Sequence, residues 1–490
     1  MIDARRFGLC CLLGCCAAAR AAEADLVPGQ PAMPGQAISL NARVVELTLA
    51  DAVFLGLRRN RAIRGAYIER VAQKFDLRVE EDRFHPQLAL SGRYQFRRDQ
   101  DDRAGNAELA PTASLQSAWG TRFSLSWTGQ VDAAGRAGTR RGQGASFSVT
   151  QPLARGAGDA ATAGLRLARL TEEVHRLHLQ ATVSEAITQI ITAYRELLRA
   201  QAQAQIVGDA LSRSRQLLAA NRAMIEAGRM AAFEIVQTEA DAASQEYSVE
   251  EAANQLDASR LELLRLLALD LNTPVRAVDR LDPQRLTVEL SAALATARER
   301  QPAYLIQHIA TRQAEIHLAV ARNEQSWDVS FVGGATQWRD RLPGLAGHET
   351  SRTWETFAGL RFDIPITDMG RRQGVLRARV EVRNQEVRLE EARQALEREV
   401  GNAVRDLGAR WRQYEIAQRA RELSQRKLQI EREKLQAGRS SNFQVLSFEA
   451  DLRNAENARL HSLIAYLNAQ TTLDQTLGTT LKSWEIELHD

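Results

Sequence analysis

Cysteine is nearly absent from this chain of 490 residues. Cys10, Cys11, Cys15 and Cys16 are followed by none, so the body from Ala17 to Asp490 has no disulfide framework. Long apolar runs are missing too. No stretch reaches the roughly 18–20 apolar residues of a spanning helix, and mean hydropathy is −0.34. This excludes a helical membrane protein but not strands, which cross a bilayer with only alternate residues apolar. A charge of one sign is also lacking: Lys+Arg 64 against Asp+Glu 61 leaves +3, no basic footprint for nucleic acid. Lysine occurs only at Lys74, Lys427, Lys434 and Lys482, an arginine bias that fits genome composition better than phosphate recognition. Gly 30 and Pro 11 exclude a collagen, and 44% apolar content excludes a disordered chain. Length alone would suggest about three ordinary domains.

Enzyme constellations are also missing. His175 and His178 are three residues apart but have no acidic or Cys third ligand, so both, like His317, are expected on solvent-facing helix positions. Gly156-Ala157-Gly158 is not followed by Gly-Lys-Ser/Thr, so it forms no phosphate loop. The expectation is a non-enzyme with no cofactor and no resident metal, whose energy comes from a partner.

The N-terminus reads as an export signal over residues 1–22: Arg5-Arg6, an apolar stretch from Phe7 to Gly14, then small residues. Leu12-Leu13-Gly14-Cys15 resembles a lipobox, with cleavage before Cys15 and lipidation of that residue. Ordinary cleavage near 21–24 is the alternative. A Pro- and Gly-containing linker follows over 23–46.

The chain repeats itself. Ala227-Gly228-Arg229, Phe233 and Glu239-Ala240-Asp241 recur as Ala437-Gly438-Arg439, Phe443 and Glu449-Ala450-Asp451. Gln151-Pro152-Leu153 is echoed by Asp363-Ile364-Pro365-Ile366. Two repeats are expected, 47–272 and 286–478, joined by a connector at 273–285 and followed by a tail at 479–490. Each opens with a helical stretch (Leu49–Phe84; Ala292–Gln325), continues into a period-two region, and ends in two long helical stretches around the Ala-Gly-Arg segment. Val183, Ile187, Ile190, Tyr194 and Leu197 are spaced 4-3-4-3, a coiled-coil seam that Leu211, Leu218 and Ile225 would continue. Gly228 and Gly438 interrupt long helical patterns, as a reversing turn requires.

Alternation predicts strands at about 86–97, 145–153, 328–338 and 354–366. Trp119, Trp127, Trp327, Trp338 and Trp354 lie in or beside these regions, as in an interfacial aromatic girdle. Four strands cannot close a barrel whose smallest form has about eight, and an open edge is not tolerated in lipid. The barrel is therefore expected to be shared between subunits, three chains giving twelve strands. The segment 99–141, with Phe123, Leu125 and Trp127 alternating, reads as an enlarged extracellular hairpin. An additional strand pair is the alternative.

On the duplication, on Gln151-Pro152-Leu153-Ala154-Arg155-Gly156 and on the paired Ala-Gly-Arg segments, the chain resembles the TolC family of outer-membrane channels over about 47–478. The resemblance implies a mainly α fold with a small membrane β-barrel portion, a homotrimer, and an α-helical tunnel across the periplasm of a Gram-negative bacterium. It implies a duct of a tripartite efflux or type I secretion system. Its partners would be outer-membrane lipid, a periplasmic adaptor, and an inner-membrane transporter of RND or ABC type. Gly228, Arg229, Gly438 and Arg439 would be adaptor-docking tips. Glu234, Gln444, Ser447 and Glu449 would be gate candidates. Gln444 and Ser447 stand where many relatives carry Asp, so a Glu234–Arg439 contact is expected to close the tips, with Glu449 lining the pore. The competing reading is a periplasmic coiled-coil adaptor or scaffold, which would need neither the duplication nor aromatic strands.

Overall fold

The computed structural model describes residues 44–98, 103–134, 138–344, 347–364 and 366–488. The leader, Cys15 and most of the linker lie outside the described residues.

Short helices α1 (Leu49–Arg59) and α2 (Arg61–Asp82) lead into strands β2 (Gln87–Arg98), β3 (Arg103–Gln116), β4 (Arg122–Ala134) and β5 (Gly138–Pro152). Two helices follow, α3 (Ala163–Glu226) and α4 (Ile235–Leu266). The plan then recurs with α5 (Leu290–Arg300), α6 (Pro302–Glu324), β7 (Asp328–Gly344), β8 (Gly347–Asp363), α7 (Met369–Gln436) and α8 (Asn442–Leu477), closed by a short α9 (Thr480–Ser483). A small parallel pair, β1 (Val45–Leu47) with β6 (Val275–Ala277), ties the chain's start to the connector between the halves. At about 1.5 Å per residue, the 64 residues of α3 and 68 of α7 each make a rod of roughly 100 Å.

Local chemistry sets the helix ends. Thr48 and Asp51 form a capping box at α1. Asn60 closes α1 and opens α2: its Oδ1 accepts from Ala62 N at 2.8 Å while its Nδ2 donates to Leu266 O at 2.9 Å. Pro302 occupies the first turn of α6, where its missing N–H costs nothing.

The apolar core is concentrated at mid-length of the rods. Val183, Ile187, Ile190, Tyr194 and Leu197 are all completely buried, as the 4-3-4-3 spacing predicts. They pack with α1, the end of α4 and the connector, while Leu396, Val400, Leu407, Tyr466 and Leu473 form a second cluster between α7 and α8. Leu481 joins the first region, with Trp484 and Ile486 against it, so the tail at 479–490 contributes to the core. Tyr194 and Tyr466 anchor the connector. The Tyr194 hydroxyl donates to Asp279 Oδ2 at 2.6 Å, with Leu47 O 2.8 Å away, and Asp279 also accepts from Leu49 N at 2.6 Å. Tyr466 donates to Gln284 O at 2.7 Å and accepts from Leu286 N at 2.9 Å. Burial beside the Asp279 carboxylate pushes the Tyr194 phenol well above its ordinary value. Tyr194→Phe is expected to destabilise this waist by about 1–2 kcal/mol, because it strips a donor from buried acceptors; thermal unfolding of the detergent-solubilised protein measures it.

The sheet corrects the expected strand count. Its order is β2-β3-β4-β5-β7-β8, six antiparallel strands rather than four. The segment 99–141 supplies the difference: it holds the pair β3–β4, turned at the helical side through Ser117–Thr121, and is not only an extracellular loop.

Candidate functional site

Both rods reverse through the same turn. Gly228 and Gly438 have φ of 69° and 70°, a left-handed conformation that glycine adopts without a Cβ clash. Arg229 N donates to Met224 O and Arg439 N to Lys434 O, each at 2.8 Å, while the glycine amides bond Ile225 O and Leu435 O. These are paired Schellman closures, and they leave Arg229 and Arg439 at the extreme ends of the two hairpins.

Polar contacts knit the hairpins together above the turns. Asn221 of α3, Thr238 of α4 and Asn442 of α8 form a buried triad: Asn221 Nδ2 donates to Thr238 Oγ1 (2.8 Å) and Asn442 Oδ1 (2.9 Å), and Asn442 Nδ2 donates to Thr238 Oγ1 (2.9 Å). Ser214 donates to Asp241 at 2.6 Å, and Arg453 reaches Gln245 Oε1 at 2.6 Å. The apolar cluster here is small, Leu428, Val445 and Leu452. The seam also departs from the expected heptad. Val207, Ser214 and Asn221 are buried, whereas Leu211, Leu218 and Ile225 are only partly so.

The expected gate residues are placed differently from expectation. Glu234 and Arg439 form no ion pair with each other among the described residues. Glu234 sits at the start of α4 and is half-buried. Gln444 lies in the first turn of α8, its amide capped by Ser441 Oγ, and Ser447 is exposed. Glu449 is not a free pore-lining carboxylate: it accepts from Arg213 Nε of α3 at 2.9 Å and from Arg432 of α7, with its side chain 13% exposed. Glu456 lies 3.9 Å from Arg213, and burial raises its carboxyl above the ordinary value against the pull of Arg213 and Arg421. Arg213, Arg432, Glu449 and Glu456 thus join α3 of one hairpin to α7 and α8 of the other.

Below this cluster Glu431 accepts from Ser440 Oγ at 2.6 Å and pairs with Lys434 at 3.0 Å, which holds its carboxyl below its ordinary 4.5. A lowered native value contributes stability above about pH 4.5 that is lost as pH falls through the native value. Ser440→Ala is therefore expected to speed hydrogen exchange across 438–444 at neutral pH. The difference from the parent protein should vanish on acidification below the carboxylate range.

Of the two neighbouring histidines, His178 is exposed as expected. His175 is half-buried, with Nδ1 lacking a hydrogen-bond partner, and burial lowers its ordinary value. No cluster of three metal-ligating side chains occurs among the described residues.

The sheet has two chemically distinct faces, because directly paired residues share a side and alternate residues oppose. One face carries Leu88, Leu90, Tyr94, Phe96, Leu115, Phe123, Leu125, Trp127, Phe147, Phe331, Leu360 and Phe362. The other carries Ser91, Gln95, Thr112, Ser114, Ser124, Ser126, Ser146, Ser148 and Thr336, with Glu108, Asp132, Asp340 and Glu355. Trp127 and Trp354 lie on one register row of the apolar face. Trp338 points to the polar side and crosses Gly142 and Gly144 of β5, where a Cβ at Gly144 would collide with its ring. Trp119 and Trp327 sit at the helical end, so the expected girdle is two-sided on the apolar face only in part.

Residues 291–479 match the family model described as outer membrane efflux protein. The match falls on the second repeat and spans less than half of the chain. Solved structures carry the same fold. CusC, a transmembrane channel, superposes with a TM-score of 0.68 at 18% identity, over 92% of this chain and 99% of that one. The CmeC outer membrane channel of Campylobacter jejuni gives 0.65 at 15% identity, over 88% and 86%. The open-state MtrE outer membrane channel of Neisseria gonorrhoeae gives 0.63 at 17% identity, over 93% and 98%. No curated protein matches the sequence. The matched model is of outer membrane efflux proteins, and CmeC and MtrE are outer membrane channels. No described helix is long and apolar enough to cross a bilayer.

Two features of this chain were missed by sequence reasoning. The Asn221–Thr238–Asn442 triad gives no apolar signal, and its only trace is polar residues at seven-residue steps, Ser214 and Asn221. The Arg213–Glu449 link joins positions 236 apart and has no local signature.

Proposed function

We propose that the chain is the exit duct of a tripartite export machine, closed by three copies and driven by an inner-membrane transporter of RND or ABC type through a periplasmic adaptor. One observation carries this reading: a single chain joins an amphipathic sheet with two unpaired edges to helical rods of roughly 100 Å. The edges suit each other. β2 runs outward from α2 and β8 runs inward to α7, so β8 of one copy meets β2 of the next antiparallel, and β2 and residues 349–363 of β8 are exposed throughout. An even number of strands per copy preserves the alternation around a ring. Three copies of six give eighteen strands, not twelve.

The hairpin ends at Gly228, Arg229, Gly438 and Arg439 are the adaptor-docking surface of this reading. The polar seam above them supports an opening movement, because hydrogen-bonded and ionic contacts exchange partners with less loss than a close-packed apolar core. Glu449 and Arg213 then act as the latch between hairpins, with Glu234, Gln444 and Ser447 around it.

The cysteine-free body makes closure directly testable. A single cysteine placed on β2 at Gln95, combined in turn with one at Thr353, Glu355 or Phe357 of β8, is expected to give covalent trimers from the outer-membrane fraction under oxidation. Intramolecular crosslinks alone, or recovery in the soluble periplasmic fraction, would reject the shared barrel.

A further inference from the structure

The apolar face of the sheet ends in a belt of arginine with no counter-charge among the described residues. The outermost rows that run across β4, β5, β7 and β8 together are Val131–Arg141–Arg341–Thr350 and Gly129–Gln143–Arg339–Arg352. Arg141 therefore stands directly opposite Arg341, and Arg339 opposite Arg352. Like charges placed so are mutually destabilising in an antiparallel sheet unless something between them carries the opposite charge. The described residues do not supply it. All four side chains are exposed, and none forms an ion pair among the described residues. The strand acids Glu108, Asp132, Asp328, Asp340, Glu355 and Asp363 all fall on the other face. There the charges are matched: Arg140, one residue from Arg141, pairs with Asp340 at 2.7 Å.

Position gives the missing charge its identity. The row immediately inside the belt is Trp127–Ala145–Gln337–Trp354, tryptophans at the depth where aromatic side chains mark the edge of the hydrocarbon. From Val329, at the helical end of β7, to Arg339 is ten residues, about 25 Å along the membrane normal for a strand tilted by about 40°. That is the height of the apolar band of an outer-membrane barrel. The arginines thus stand at headgroup level in the outer leaflet, around a groove of about 690 Å³ lined by Arg141, Arg339, Arg341 and Arg352.

We propose that this belt is a binding site for a phosphate-bearing lipid of the outer leaflet, whose phosphates sit between the opposed guanidinium groups. Guanidinium pairs bidentately with phosphate oxygens, and clustered basic side chains at a membrane surface draw anionic headgroups. The proposal rests on the reading of the sheet as a barrel whose apolar face meets lipid. It goes beyond that reading in assigning the site and its ligand.

The test uses the full-length protein extracted from outer membranes, its location and heat-sensitive migration recorded first, so that a failure of the barrel reading shows there. Binding of radiolabelled bisphosphorylated lipid A is then measured after detergent exchange. The parent protein is expected to retain it, and to bind the dephosphorylated lipid at least tenfold more weakly. The variant combining Arg141→Gln, Arg339→Gln, Arg341→Gln and Arg352→Gln is expected to lose at least tenfold in retention, whereas Arg140→Gln on the other face leaves it unchanged. Equal binding of phosphorylated and dephosphorylated lipid by the parent protein overturns the proposal without need of any variant. So does full retention by the fourfold variant, or displacement of the lipid by millimolar inorganic phosphate, which would mark a free-anion site.

Discussion

Glu449→Ala is expected to raise the resting conductance of the channel in planar bilayers by roughly thirtyfold, and to sensitise cells to large antibiotics that normally cannot enter. The substitution leaves Arg213 and Arg432 facing each other across the junction of the two hairpins, with only Glu456, 3.9 Å from Arg213, nearby. Removing one partner of a buried ion pair costs about 3–5 kcal/mol. Partial exposure of Arg432 reduces this, and about 2 kcal/mol is a working value. At 1.4 kcal/mol per factor of ten, that shifts a closed–open equilibrium by roughly thirtyfold. Arg213→Ala should act in the same direction but more weakly, because Arg432 still neutralises Glu449. If conductance stays at the parent level while the protein remains folded, the junction is structural and the latch lies elsewhere.

The second large effect concerns the outer end. Deleting 103–134 removes β3 and β4 and leaves β2 and β5, already antiparallel, to pair with each other. A trimer of such chains has twelve strands in place of eighteen. Barrel diameter grows about linearly with strand number, so the open cross-section should fall to roughly half. In the Glu449→Ala background, where the periplasmic end no longer limits flow, the deletion is expected to lower single-channel conductance and the size limit for neutral polymers. An unchanged size limit would mean that the extra strands do not line the conduit.

The helices were legible because their signal is strong and local. Val183, Ile187, Ile190, Tyr194 and Leu197 state their seam in apolar residues, and Gly228 and Gly438 state its ends. Strand β3 was not legible. Its apolar-face residues include Gly105, Ala107, Pro111 and Ala113, too small to contrast with Asn106 or Thr112, and a proline within a run argues against a central strand. Pro111 does interrupt the pairing with β4, whose register passes from Leu109–Gly129 to Thr112–Ser126. Only β4, with Phe123, Leu125 and Trp127, carried a visible alternation. The lower seam misled for the opposite reason. Leu211, Leu218 and Ile225 offered an apolar heptad, while the buried positions, Ser214 and Asn221 among them, are polar because the contact there is made by hydrogen bonds. The site was legible at its turns but not across hairpins: Glu449 was recognised as a carboxylate of the tip region, but its partner Arg213 is distant in sequence.

The turn at Ser117–Thr121 has a wider meaning for the architecture. Of the six strands, β2, β5, β7 and β8 each continue into a helix of the wall, whereas β3 and β4 meet in that turn, which packs at Gly120 on Pro152, Gly156 and Ala161 but leads into no helix. The exit and the shaft of this conduit are therefore set independently. Strand pairs can be added at the mouth, changing its bore, while the helices and the couplings they present to the machinery beneath keep their original gauge.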